Sequence, residues 1–407
     1  MGYAERKEQS LQGNVPNLRF PEFSGEWEHV ALSEIAARVT RKNKDNASKL
    51  PLTISAQYGL VDQISFFNKV VASADMSNYY LLRQGEFAYN KSYSSDYPWG
   101  AIKRLDGYPQ GALSSLYICF AVNDKVDSDF AVHYFESSKW HREVSNIAGE
   151  GARNHGLLNI AVGDFFDTKH RLPSSKEEQK KIAALLNLIT ERIATQIKII
   201  EKLESLIRGL ITDVNSGRIA QCESVYLRDL LTERHEKNTN NYEVCSVSVS
   251  QGVINQIDYL GRSFAAKEVL HYSVVNCGDI VYTKSPTGEF PYGIVKRSDI
   301  TKPVAVSPLY GVYRPINDYV GRYLHLYFKS PINAKNYLHK LIQKGAKNTI
   351  NITNQHFLDN KILIPEKGWL ENIVNFAAAI EMKIATENKV LQTLQQQKDY
   401  LLSKMFI

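Results

Sequence analysis

The chain has 407 residues, 43% of them hydrophobic and 23% charged, with a formal net charge of +6. That length predicts two or three domains with ordinary buried cores, and the mild basic excess admits a nucleic-acid partner without requiring one. No apolar run approaches the ~20 residues of a membrane helix, the polar start carries no signal segment, and Cys119, Cys222, Cys245 and Cys277 form no C-x-x-C pair. A soluble, cytoplasmic protein with reduced thiols and no metal site is expected.

In chain order, residues 1–26 form a polar N-terminal segment, with Met1 to about Gly13 expected to be disordered. Residues 27–173 carry many short apolar runs, such as "YICFAV", broken by Gly, Pro, Asn and Asp, and read as strands of a mixed α/β domain. A long helix is predicted over 174–213, with Ser174 or Ser175 as N-cap and Glu177 and Glu178 in the first turn. Ile182, Leu186, Ile189, Ile193, Gln196, Ile200, Leu203, Ile207 and Leu210 recur along it in steps of four and three, a heptad seam. Residues 214–366 repeat the domain pattern. A second long helix over 367–407 repeats the seam with Ile373, Ala377, Ile380, Ile384, Glu387, Leu391, Leu394, Lys398, Leu401 and Met405.

The chain is a tandem duplication. "GEFAYNKSYSSDYPWGAIKR" (Gly85 to Arg104) aligns with "GDIVYTKSPTGEFPYGIVKR" (Gly278 to Arg297) at a shift of 193, with 8 identities in 20 positions. "SSLY" at Ser114 meets "SPLY" at Ser307, and "GARN" at Gly151 meets "GAKN" at Gly345. Repeats at this spacing indicate two copies of one architecture. Two matching seams in one chain can bury each other. If antiparallel, helices of roughly 36 residues make a rod of about 54 Å, with a globular domain at each end and a pseudo-two-fold axis through the middle. The simpler alternative is two amphipathic helices, each packed on its own domain.

Each aligned window reads as strand, exposed loop, strand. The frame is shared and the tips differ, as expected of two readers of different sequences. Lys91, Ser92, Tyr93, Ser94, Ser95, Tyr97, Lys103 and Arg104 in the first window, and Lys284, Ser285, Thr287, Lys296 and Arg297 in the second, are candidates for DNA contact. Lys and Arg suit phosphates or guanine edges, and hydroxyls donate to either. The acidic Asp96 and Glu289 in the tips repel phosphate, although either could accept from cytosine N4. The basic loops "GEGARNHG" and "KGAKNTIN" add Arg153, Asn154, His155, Lys344, Lys347, Asn348 and Thr349, in which Asn can read adenine. Solvated hairpins and plain turns remain the structural alternatives for these stretches.

The combination resembles the specificity (S) subunit of type I restriction-modification enzymes. The resemblance is carried by "NVPNLRFPEFSGEWE" (Asn14 to Glu28), the "GEFAYNKS" and "GDIVYTKS" strands, the "GARN" and "GAKN" loops and "LPSSKEEQKKIAALLNLITERIATQIKIIEKLESLI" (Leu172 to Ile207). It implies two target recognition domains separated by an antiparallel coiled coil, each domain reading one half of a split double-stranded DNA target. It also implies docking of two modification subunits, which carry S-adenosylmethionine and methylate adenine N6, and of restriction subunits that use ATP and Mg2+. The chain itself would be non-catalytic and bind no cofactor. One departure is that "EEQKKI" before the first seam becomes "WLENIV" before the second, so two docking surfaces there would not be equivalent. An adenine methyltransferase would need a [DN]-P-P-[YF] loop, and "SPLY" lacks the acid or amide and the second proline. The rival outside DNA recognition is a coiled-coil scaffold.

Overall fold

The apolar runs that read as strands are apolar because their sheet is covered on both faces. In the strand Phe87–Asn90, Phe87 and Tyr89 enter one core with Ile102, Ile118 and Phe120, while Ala88 enters a second core with Ala101 and Cys119. The structure is a computed structural model that describes residues 13–149, 156–262, 268–344 and 350–407. It divides into two compact units: Met1–Gln196 with Val390–Ile407, and Ile197–Lys389. Each long helix is therefore shared, half to each unit.

The first unit holds a four-stranded antiparallel sheet in the order Ala36–Arg38, Ile118–Val122, Phe87–Asn90, Ala101–Arg104. Three two-stranded ribbons flank it: Leu52–Ser55 with Gly59–Asp62, Tyr80–Arg83 with Gln110–Leu113, and Glu28–Ala31 with Lys169–Leu172. The helix Ser128–Glu136 covers one face, capped by the Asp127 carboxylate, which accepts from the Asp129 and Phe130 N–H groups. Phe130, Tyr134, Phe135, Trp140 and Phe165 fill the core beneath it.

The second unit repeats this order with Leu231–Glu233, Gly311–Pro315, Ile280–Thr283 and Ile294–Arg297. Its ribbons are Cys245–Ser248 with Gly252–Asn255, Ser273–Val275 with Val304–Val306, and Cys222–Tyr226 with Lys361–Pro365. The helix Asp318–Phe328 takes the place of Ser128–Glu136. Small details repeat as well: Asn43 holds Ser48 through both its amide atoms, and Asn238 holds Tyr242 the same way.

The long helices run over Lys176–Asn215 and Lys367–Met405. Ser175 is the N-cap of the first, its hydroxyl accepting from the Glu178 N–H. In the first unit Ile182 and Leu186, early in the first helix, pack with Leu402 and Met405, late in the second. In the second unit Ile207 and Ile211, late in the first helix, pack with Ile373 and Ala377, early in the second. Both pairings are antiparallel. Every seam position read from the heptads is buried or half-buried.

The start of the first long helix explains two motifs at once. Arg19 grips both carboxylate oxygens of buried Glu178 at 2.7 Å, and the Trp27 indole donates to the same group at 3.2 Å. Gln179 accepts from the Asp127 N–H and donates to the Pro173 carbonyl. "LRFPEFSGEW" and "EEQ" are thus two halves of one internal tether. The second helix has Trp369 and Leu370 at the heptad-matched positions, and Leu370 is buried in the core. The sequence departure there is an exchange of a polar anchor for an apolar one.

Candidate nucleic-acid interface

Each hairpin is drawn in by one tyrosine. Tyr89 donates its hydroxyl to the Trp99 carbonyl at 2.8 Å, and Tyr282 donates to the Tyr292 carbonyl at 2.8 Å. Burial pushes both phenols up from their ordinary pKa. The return turns through Gly100 at φ +77° and Gly293 at φ +100°. A Cβ there would meet the Asn90 carbonyl oxygen at 2.1 Å or the Thr283 carbonyl oxygen at 1.9 Å, so only glycine fits.

The tips are open. Ser92, Tyr93, Ser94, Ser95 and Tyr97 are exposed, and Lys91 is half-buried. Ser285 and Thr287 are exposed, and Lys284 is half-buried beside the charge of Glu233, its pKa lowered by that burial. The second tip closes on itself, with the N–H groups of Thr287 and Phe290 each bonded to the other's carbonyl. The first tip makes the matching bond from the Ser94 N–H to the Tyr97 carbonyl at 3.1 Å, and it also reaches sideways. The Tyr93 N–H donates to the Gly156 carbonyl at 3.0 Å, and the Leu158 N–H donates to the Lys91 carbonyl at 2.9 Å. The structure thereby joins two stretches that are some 60 residues apart in the sequence, the hairpin tip and the strand leaving "GEGARNHG". Arg153, Asn154 and His155 lie outside the described residues, between Gly149 and Asn159, which pair with each other. Lys347, Asn348 and Thr349 also lie outside them, and Lys344 belongs to the strand Gln343–Lys344, which pairs with Ile350–Asn351 around that loop.

Four sequence candidates are tied into the body of their unit. Arg104 is held by Asp106, Asp129 and the Ser128 hydroxyl. Arg297 is only 6% exposed and is held by Asp299 and Asp318. Lys296 is 3% exposed, and Lys103 is half-buried, its pKa lowered by burial despite the nearby charge of Glu136. The return strand lies against the domain helix in each unit, so its basic pair turns inward. Sequence alone could not separate a basic pair on a covered strand from one on an open loop.

Sequence reasoning missed a charged knot in the first unit. Glu136 accepts from His133 at 3.1 Å and from Lys398 of the second long helix at 2.9 Å. Burial alone would raise this carboxyl; the His133 bond and Lys398 outweigh it and take the pKa down to about 2. The available signal was Lys398 itself, a charge in a heptad seam. Also missed was the exposed apolar patch of Tyr58, Ile64, Phe66, Phe67, Val70 and Val71.

All four cysteines are free thiols, with burial pushing Cys119 up to about 12 and Cys245 up to about 11. Among the described residues no cluster of His, Cys, Asp and Glu could hold a metal, and no helix is long and apolar enough to cross a membrane.

No protein-family model matches the sequence, and no curated protein is significantly similar to it. Solved structures do match. The S subunit of a type I restriction-modification system from M. genitalium superposes with a TM-score of 0.55 at 13% identity, covering 97% of this chain and 99% of that one. A chain from a study of complex assembly and conformational transition in the type I R-M system superposes with a TM-score of 0.53 at 14% identity, covering 93% and 97%. Across nearly its whole length, this chain has the fold of type I restriction-modification specificity subunits.

Proposed function

We propose that this chain is the DNA-recognition subunit of a type I restriction-modification complex, each unit reading one half of a split duplex target. The observation that carries the reading is the pair of hairpins: one frame, repeated down to the tyrosine hydrogen bond, with exposed tips of different sequence, the first of which also bonds to Gly156 and Leu158. A constant frame with variable exposed tips is what two readers of different half-sites need. The candidate contacts are Lys91, Ser92, Tyr93, Ser94, Ser95 and Tyr97 with Arg153, Asn154 and His155 in the first unit. In the second they are Lys284, Ser285 and Thr287 with Lys344, Lys347, Asn348 and Thr349.

The long helices set the unread gap between the half-sites. They also bear exposed apolar side chains, Leu188 and Leu206 on the first and Trp369, Phe376 and Met382 on the second. Such surface suits docking of two modification subunits, with restriction subunits completing the assembly. On this reading S-adenosylmethionine, ATP and Mg2+ belong to those partners, and this chain positions their chemistry without performing it.

Mapping N6-methyladenine in cells that co-express the chain with its modification subunit tests the proposal. One split motif, with two short halves around a fixed gap, is expected. Exchanging Tyr93–Tyr97 should change one half only. Methylation of a continuous motif, or of none that depends on this chain, would sink the proposal and leave the scaffold. Salt separates the two directly, because a protein that neutralises several phosphates loses affinity steeply as salt rises.

A further inference from the structure

The two units differ most where they treat the lysine that follows the hairpin return. In the first unit Lys103 has the carboxylate of Glu136 nearby, with His133 and Lys398 completing the knot. At the same shift of 193, Lys103 becomes Lys296, Glu136 becomes Lys329 and His133 becomes Leu326; in heptad register, Lys398 becomes Ile207. The carboxylate is gone and a second cation stands in its place. Lys329 turns to Glu381 at 3.3 Å. Lys296 is 3% exposed and makes no ion pair or side-chain hydrogen bond among the described residues. Burial and the neighbouring Lys329 push its pKa down to about 8. A largely buried lysine with no carboxylate bonded to it, set in the wall of a cavity, marks a place where an anion can be accommodated.

Lys296 lines a cavity of about 410 Å3, and the other three substituted residues line it too. Phe290 and Pro331 extend the apolar wall that Ile207 and Leu326 begin. The volume suits a small ligand, and the lining suits a hydrocarbon body with a single anionic head. The lining carries three cations, Arg208, Lys296 and Lys329, against two carboxylates, Glu204 and Glu289, an excess of one positive charge that suits a singly charged anion.

We propose that the second unit contains a binding site for a small monocarboxylate with an apolar body, whose head group takes the place that Glu136 occupies in the first unit, against Lys296. The site does not depend on the DNA-recognition reading and stands or falls separately from it.

Calorimetric titration of the full chain with hexanoate tests it. One hexanoate per chain is expected, weakened at least about tenfold by Lys296→Met and retained in Lys103→Met. Hexan-1-ol, which lacks the carboxylate, should not bind measurably. No heat from hexanoate up to about 10 mM, equal binding by Lys296→Met, or inorganic phosphate binding as tightly as hexanoate would each overturn the proposal. Removing a buried, unpaired charge should leave Lys296→Met at least as heat-stable as the parent. Should it fail to fold, NMR of 13C-methylated lysines in the unaltered chain gives the same answer. Hexanoate must then shift the Lys296 signal and raise its titration midpoint; an unmoved signal counts against the site.

Discussion

The two units have the same strand order and the same hairpin, and both seat their long helices on apolar cores, yet they place polar bonds to those helices differently. The first uses charge: Arg19 and Trp27 on Glu178, and Lys398 and His133 on Glu136. The second has Leu370, Ile207 and Leu326 in the corresponding places, with one ion pair to the helix, Lys329 on Glu381. In the second unit the first long helix runs on through the chain into the domain. In the first unit the second long helix meets the domain through the Leu18 N–H on the Lys404 carbonyl and through Phe406 against Trp27.

The sharpest way to break the comparison is Glu178→Ala. It removes the carboxylate that pairs a half-buried guanidinium and leaves the buried Trp27 indole N–H unpaired, and should cost the first unit about 3 kcal/mol. Denaturant unfolding should show that loss, with the second unit's transition unmoved. Next is pH. Glu136 titrates near 2 in the folded chain against 4.5 for the ordinary group. Its contribution, about 3 kcal/mol, is complete above pH 4.5 and is lost as pH falls towards 2. Glu136→Gln should flatten that part of the stability profile, a loss with no Glu136 counterpart in the second unit, where Lys329 stands.

Gly100→Ala and Gly293→Ala should each cost about 2–3 kcal/mol, through positive φ and the carbonyl clash. Similar costs in the two units, read from thermal melting, would show that the frames are equivalent. A large inequality would show that they are not. The smallest effect on stability belongs to Tyr93→Ala and Tyr97→Ala, within about 0.5 kcal/mol. Gel-shift titration should nevertheless show weaker binding to one half-site and an unchanged preference at the other.

The periodicity of the long helices was fully legible, because a heptad seam is a local pattern with a single geometric solution. So was the duplication, and with it the strand, turn and strand of each hairpin, since Tyr89, Gly100 and their copies serve the local turn. Which basic residues are open was not legible. Lys296 and Arg297 look no different from Lys91 in a string of letters, and only the helix lying over the return strand buries them.

The sequence by itself determined how many units there are, what joins them and where each hairpin bends, because these depend on neighbours within a few turns of chain. The tertiary structure alone decided which charges face each other. Arg19 meets Glu178 across 159 residues, and Lys398 meets Glu136 across 262. Only when distant elements fold together does the exchange of Glu136 for Lys329 become an unpaired lysine in a cavity. Pairing of buried charge is a property of space, and local pattern carries no record of it.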